Sequence, residues 1–431
     1  TSVNLFAVQN VLSVSDHRIF RSDKNSYPRQ TSYMPNDRLL IRDKFNLKKG
    51  DWDYKADVLI GSDLNNLSNK NENFFYNIKE ATIAFNERPN IFKMGFQRVS
   101  WVENFSKSLN DPFTPLDLRN YITVTPDESM ISHLAIAYNY FSDSGSDSDS
   151  DSWWIESFFA PYSATHIFPS SQSSFFIGHS SFSPLVDPSV LDEEDNKYSL
   201  KERYSMGVRI NKKISQFEGN LFVGRVLNPF YVIREVSLLE LVRANNGSFR
   251  EHKHFDVVGS FGSLAIQNII FRYDLLFSIN KKVNYIDGDV SSWPNYGPGY
   301  GQVYVQQIKK NFYDFSIGLD YNTSQNDTLS LVYTINEMIN KDDKNYLAEK
   351  SNSLLAASFL FPNIFNVFNL SAGISHYLKT AGNYTFVKLS KYFIDTIILE
   401  IQFDIFSGHN NDNFAYARKM DQMQLKLTYV F

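Results

Sequence analysis

The sequence predicts an all-β chain, a transmembrane antiparallel up-and-down β-barrel of about 18 strands with short turns at one end and long loops at the other. Three observations lead there. Segments alternate strictly between apolar and polar residues, as in Met423, Leu425, Leu427, Tyr429 and Phe431 against Gln424, Lys426 and Thr428. Aromatics make up 16% of the 431 residues, with 37 Phe and 25 Tyr, yet the mean hydropathy is polar at -0.31. Finally, the connections between alternating segments are short and long in turn. No apolar run approaches the roughly 18 residues a membrane-spanning helix needs, whereas a barrel strand needs about 10, half of them apolar.

In chain order, strands are expected near 3–13, 37–47, 52–62, 75–85, 91–101, 130–141, 153–161, 199–210, 216–226, 254–262, 266–278, 311–321, 327–336, 352–361, 366–378, 384–391, 395–406 and 421–431. The first has the weakest pattern, and dropping it with one other leaves 16. The clearest hairpin sets Phe315, Ile317, Leu319 and Tyr321 on one face, then Leu329, Leu331, Tyr333 and Ile335, across the polar turn Asn322–Asn326. Likewise, nearer the C-terminus, Ile397, Leu399, Ile401, Phe403 and Ile405 oppose Glu400, Gln402 and Asp404. Two carboxylates on one strand face are costly in a dry core but not beside water.

Turns are expected at Lys48–Asp51, Asn86–Asn90, Asn211–Ser215, Gly262–Ala265, Asn322–Asn326, Pro362–Phe365 and Tyr392–Ile394. Long loops fall at 14–36, 63–74, 102–129, 162–198, 227–253, 279–310, 337–351 and 407–420. This places both termini on one side, the periplasmic one for such a barrel, and implies a leader removed ahead of Thr1. The tract from Ser142 to Ser152, rich in Asp and Ser, reads as a solvated linker, because it lacks the Gly and Glu of a formed calcium loop. The terminal Tyr429 and Phe431 resemble the aromatic signal by which the barrel-assembly machinery recognises its substrates.

Reactive chemistry is sparse. There is no Cys, so no disulfide, thiolate or Cys-ligated metal, and a net charge of -5 leaves no footprint for nucleic acid. Gly178-His179-Ser180-Ser181-Phe182 sets His beside Ser without the nucleophile elbow, and His252-Lys253-His254 reads as loop surface. Metalloprotease, phosphate-loop and dinucleotide motifs are absent. We therefore expect no enzyme, cofactor or metal site; a membrane-embedded hydrolase ranks third among the readings.

With the apolar faces outward, the inward, candidate pore-lining positions include Lys93, Gln97, Arg209, Glu218, Arg272, Asp274, Asp320, Lys388, Glu400, Asp404 and Lys426. Both signs occur in similar number, unlike the single-sign ring of an ion-selective pore. Either these charges pair along the wall and keep it wet, or they form a mixed-charge interior that holds an inserted loop or passes an amphiphile. Within the single domain 1–431, the 102–129 connection carries Asp111-Pro112-Phe113-Thr114-Pro115-Leu116-Asp117. Two prolines among large apolar residues suggest an ordered segment, either a constriction or gating loop folded inward or a surface flap.

The stretch Gly95-Phe96-Gln97, Trp101-Val102-Glu103 and Thr114-Pro115-Leu116-Asp117 resembles a motif series of an uncharacterised, porin-like family of bacterial outer-membrane barrels, often encoded beside resistance-nodulation-type exporters and periplasmic lipid-carrier-like proteins. That family has Gly-Arg-Gln, Trp-Gly-Glu and Asn-Pro-x-Asp, so Phe96, Val102 and Thr114 depart from it. The resemblance implies an outer-membrane conduit for a solute, hydrophobic or amphiphilic in kind, with Gly95, Gln97, Trp101, Glu103, Pro115 and Asp117 as its motif positions. The alternative is a structural or assembly barrel with a plugged lumen whose loops bind a partner. Expected partners are outer-membrane lipid, the barrel-assembly machinery and a periplasmic or envelope protein.

Overall fold

The computed structural model describes residues 4–20, 33–63, 74–101, 111–117, 129–142, 151–167, 203–237, 250–288, 303–323, 326–346, 350–364, 367–379, 382–394, 396–407 and 421–430. Among these residues, eighteen strands of eight residues or more carry the fold. They are β1 (Asn4–Phe20), β2 (Tyr33–Lys49), β3 (Trp52–Asp63), β4 (Phe74–Glu87), β5 (Asn90–Gln97), β6 (His133–Phe141), β7 (Asp151–Tyr162), β8 (Ser205–Ile214), β9 (Phe217–Leu227), β10 (His254–Ile266), β11 (Ile269–Asp287), β12 (Tyr304–Asn322), β13 (Thr328–Met338), β14 (Ser351–Ile364), β15 (Phe368–Tyr377), β16 (Asn383–Ile394), β17 (Ile397–Ser407) and β18 (Asp421–Val430). Each pairs antiparallel with its neighbour in sequence. The free edge of β1 pairs with β18, from Val11↔Val430 to Phe20↔Asp421. The hydrogen-bonded ladder thus returns to its first strand, as a spanning sheet must because hydrocarbon cannot satisfy an open edge.

Burial alternates along the wall. On β5, Phe92, Met94 and Phe96 are exposed while Lys93, Gly95 and Gln97 are covered. On β8, Met206, Val208 and Ile210 are exposed beside Ser205, Gly207 and Arg209. On β18, Leu425, Leu427 and Tyr429 are exposed while Lys426 and Thr428 are buried. A water-soluble barrel would reverse this polarity, so the outer face is built for lipid. Gly95 has a further role: its φ is +124°, and a Cβ there would lie 2.1 Å from the Ala81 carbonyl oxygen, so no other residue fits that rung.

Several expected boundaries are corrected. The 91–101 strand ends at Gln97, because residues 98–101 leave the ladder as Trp101 turns into the interior. The turn expected at Gly262–Ala265 lies instead at residues 267–268; Gly262 is a strand residue over which the Tyr273 ring folds, a Cβ there falling 2.6 Å from Tyr273 Cε1. The turn expected at Asn211–Ser215 falls at residues 215–216, and the strand expected at 199–210 is Ser205–Ile214. Much of the 279–310 loop is strand, since β11 and β12 pair as far as Asp287↔Tyr304. The first strand runs past its expected end, to Phe20.

Candidate functional site

The site begins where the chain leaves β5. Trp101 and Phe113 are 4% and 2% exposed, and their ring centroids lie 4.9 Å apart. Trp101 meets Phe158 of β7 edge-on at 5.0 Å and Phe222 of β9 at 6.0 Å; Phe113 meets the same two rings at 5.8 and 5.6 Å. Val99, Ala135, Ala160, Val226, Phe255, Val257 and Leu276 complete the cluster. Phe158 is chain neighbour to exposed Phe159, and Phe222 lies between exposed Leu221 and Val223, so both rings point inward. The described part of the 102–129 loop, residues 111–117, is therefore packed on the inner face of β6–β11 rather than laid over the surface. Two small residues make this fit: a Cβ at Gly207 would lie 2.7 Å from Trp101 Cζ3, and one at Gly224 would lie 3.2 Å from Phe113 Cε1. Burying each ring contributes roughly 2–3 kcal/mol.

Polar contacts fix the same segment. Asp111 accepts the Phe113 N–H at 2.9 Å and the Ser100 hydroxyl at 3.1 Å. The Thr114 hydroxyl lies 2.7 Å from the Val99 carbonyl and 2.9 Å from Asp111 Oδ2. It has one proton to donate, so a proton on Asp111 is what satisfies both contacts. Burial agrees, pushing the Asp111 carboxyl up to about 6. His133 Nε2 donates to the Phe113 carbonyl at 2.6 Å while its Nδ1 accepts the Ala164 N–H at 3.1 Å. His166 Nδ1 accepts the Leu116 N–H at 2.8 Å, and burial holds this imidazole down to about 3, hence neutral. Backbone bonds join Asp117 to Ser129, Ile131 to Pro115, Ile167 to Leu116 and His166 to Pro229. Lys79, fully buried at the β4 bulge, donates to the Met130 carbonyl at 2.8 Å. Segments from three long connections, after β5, β7 and β9, are thereby knitted together within the ring.

The residues singled out in sequence fall as follows. Lys93 pairs with Glu80 at 2.6 Å, Arg209 with Glu156 at 2.5 Å, Arg272 with Asp320 at 2.7 Å, and Lys388 with Glu400. Asp404 accepts from Tyr384 and Gln402, both at 2.8 Å. Lys426 is buried and in register with Glu400; Asp274 is buried and in register with Ser316; Glu218 is exposed near the β8–β9 turn. Of the motif positions, Gln97 donates to the Ala135 carbonyl at 2.9 Å, and Trp101, Pro115 and Asp117 belong to the inward segment. Phe96 is exposed on the outer face. Glu103, Ser180, Phe431 and most of the Asp/Ser tract lie outside the described residues.

Sequence reasoning missed Asp111, His133, His166, Lys79 and the glycines under the rings. His252 and His254 do not converge on one centre: His252 Nδ1 bonds the Asn228 carbonyl at 2.9 Å, and His254 Nε2 bonds the Tyr204 carbonyl at 2.8 Å while stacking on that ring. Among the described residues no group of three or more His, Asp or Glu is placed to hold a metal.

No protein-family profile matches the chain, and no curated protein matches it. Solved outer-membrane porins do. OccAB1 of Acinetobacter baumannii aligns over 98% of this chain and 96% of its own, at 8% identity and a TM-score of 0.52. OccK11 (OpdR) of Pseudomonas aeruginosa aligns over the same shares at 10% identity and a TM-score of 0.50. At these identities the likeness concerns the fold: an all-β, antiparallel, up-and-down outer-membrane barrel.

Proposed function

We propose that the chain is a solute channel of the bacterial outer membrane, in which the segment around residues 111–117 is a fixed narrowing of the lumen. One observation carries this reading: Trp101 and Phe113 are packed on the inner face of β7–β9 and the segment bearing Phe113 is hydrogen-bonded on several sides. Rings of 16–18 strands enclose more space than their own side chains fill, so a loop on one side narrows the passage without closing it. Outer-membrane lipid would then surround the apolar face, and the barrel-assembly machinery would insert the chain, reading Tyr429 and Phe431. The inward charges, largely paired to neighbours, keep the wall wet. Hydroxyl, amide or charged groups recur on the inner face of every strand from β12 to β18, which interrupts an apolar track and suits a hydrated solute better than the hydrophobic cargo that the family resemblance implies.

Planar-bilayer recording tests the proposal. Intact chain should give discrete conductance steps, and deletion of residues 104–125 should enlarge them. A barrel that stays closed with and without the deletion would instead be the plugged, partner-binding form.

A further inference from the structure

Around the ring the inner wall changes character at β13. The outer faces there are ordinary, with Ile317, Leu329, Leu331, Leu355, Ile374 and Val387 exposed. Over the middle rungs the inner faces are small and hydroxylated, with Val332 the largest residue there and Leu354 and Leu360 on the rungs to either side. Ser316 and Thr334 touch at 3.0 Å, and Ser330, Ser358, Ser371 and Ser375 follow on β13–β15 with Gly318, Ala356 and Gly373 between them. β14 and β15 contain no Asp, Glu, Lys or Arg; the single charge of β13, Glu337, shares the parity of exposed Leu329 and Leu331 and so belongs to the outer face. In a chain that is 21% charged, three consecutive strands therefore present an inner face without charge. The flanks are neutralised as well, by Arg272–Asp320 on one side and Lys388–Glu400 on the other.

Aromatic faces border this strip. One rung of the ladder reads Asp320, Ser330, Ser358, Gly373, Phe386, Asp404; the next reads Gly318, Val332, Ala356, Ser375, Tyr384, Phe406. Phe386 lies across Gly373, where a Cβ would fall 2.7 Å from its Cε1. Tyr384 stacks on Phe406 at 4.9 Å and 24°, and on Phe386 at 5.9 Å and 26°. Among the described residues the buried cluster around Trp101 and Phe113 includes none of β12–β18, so residues 111–117 rest on the other arc of the wall.

Resting on the channel reading, we propose that the β13–β16 wall is the solute path and that it selects uncharged, polyhydroxylated solutes. An ion entering a narrowed, low-dielectric passage loses hydration that only fixed charge of opposite sign can offset; β13–β15 have none on their inner face, and Lys388 on β16 is neutralised by Glu400. A hydroxylated solute loses less. Serine and threonine hydroxyls donate one hydrogen bond and accept two, standing in for the water it sheds. The electron-rich ring faces of Tyr384 and Phe386 meet the C–H faces of a sugar-like ring.

Reconstituted full-length chain should show a potassium-to-chloride permeability ratio within about twofold of unity. Proteoliposomes should swell about threefold or more faster in mannitol than in gluconate or lysine salts of similar size. Because the chain has no Cys, Ser358→Cys gives a unique thiol; a sulfonated methanethiosulfonate attached there should raise relative cation permeability about threefold. The direct variant Ser358→Asp should act likewise. Normal conductance with strong ion selectivity in the unmodified chain would overturn the solute class while leaving the channel standing. Selectivity unmoved by the label would move the path off this wall. Absence of any conductance would remove the channel reading and this inference with it.

Discussion

Replacing Asp111 by Asn should convert a pH-flat loop into a pH-dependent one. Asp111 titrates near 6 in the folded segment against an ordinary 3.8, so its protonated form is the favoured one. Its contribution is present in full below about 3.8 and is lost as pH rises through 6, a loss of about 3 kcal/mol at 1.36 kcal/mol per unit. His166 runs the other way. Its folded value is near 3 against an ordinary 6.5, so the stability it supplies is complete above 6.5 and drains away as pH falls towards 3. Both grip one segment, Asp111 through the Phe113 N–H and His166 through the Leu116 N–H. Between about pH 4.5 and 5.5, opening the segment releases about 0.8 proton from Asp111 and takes up about 0.9 at His166, so these two terms nearly cancel. Asp111→Asn removes the first term and keeps the amide's contacts, leaving His166 to set a slope of about 1.3 kcal/mol per pH unit, or about 2 kcal/mol from pH 4.5 to 6. Hydrogen exchange of peptides spanning 111–117, corrected for intrinsic rate, reads this opening energy in detergent-held barrel. A wild-type segment that changes by more than about 1 kcal/mol over that range, or an Asn variant that stays flat, refutes the compensation. Adding His166→Gln to the Asn variant should flatten that slope again, down to whatever His133, bonded to the Phe113 carbonyl, contributes.

Other perturbations follow from the same geometry. Gly207→Val should push Trp101 off the wall, costing about 1–3 kcal/mol of segment stability and increasing protease cleavage near residue 111, with the barrel still heat-modifiable on gels. Phe113→Ala should cost about 3–5 kcal/mol locally and raise single-channel conductance; an unchanged conductance would mean that the ring does not hold the narrowing in place. Gly95→Ala should abolish assembly outright, as read by loss of the folded band, because its Cβ has no room beside the Ala81 carbonyl. Lys388→Ala leaves Glu400 without its bonded ammonium on the β16–β17 wall, and should shift reversal potentials towards cations with little change in folded yield.

The wall was legible because period-2 alternation survives wherever one face meets lipid and the other water. It failed where that contrast disappears. Beyond Asn280 the β11–β12 hairpin has Lys281, Lys282, Lys309 and Lys310 in its ladder, so nothing marked it as strand. Gly262 imitated a turn because a glycine that admits an aromatic ring looks, in sequence, like one that bends the chain. The inward segment was half legible. Its prolines and Phe113 marked it as ordered, but where it rests depends on Phe158, Phe222, Gly207 and Gly224, which alternate like any strand residues.

A signal for that resting place was nonetheless present. Leu221-Phe222-Val223 and Phe158-Phe159 are apolar on both faces, and a strand apolar on both faces is covered on both. Lipid covers one face of this wall, so something within the barrel must cover the other. Strands β7 and β9 bear this pattern, and they hold Trp101 and Phe113. At the register of Ser330, Ser358 and Gly373 the opposite pattern prevails, with large residues outside and the smallest ones inside. The proposed passage lies on the side where, at these rungs of β13–β15, the inward residues are the smaller ones.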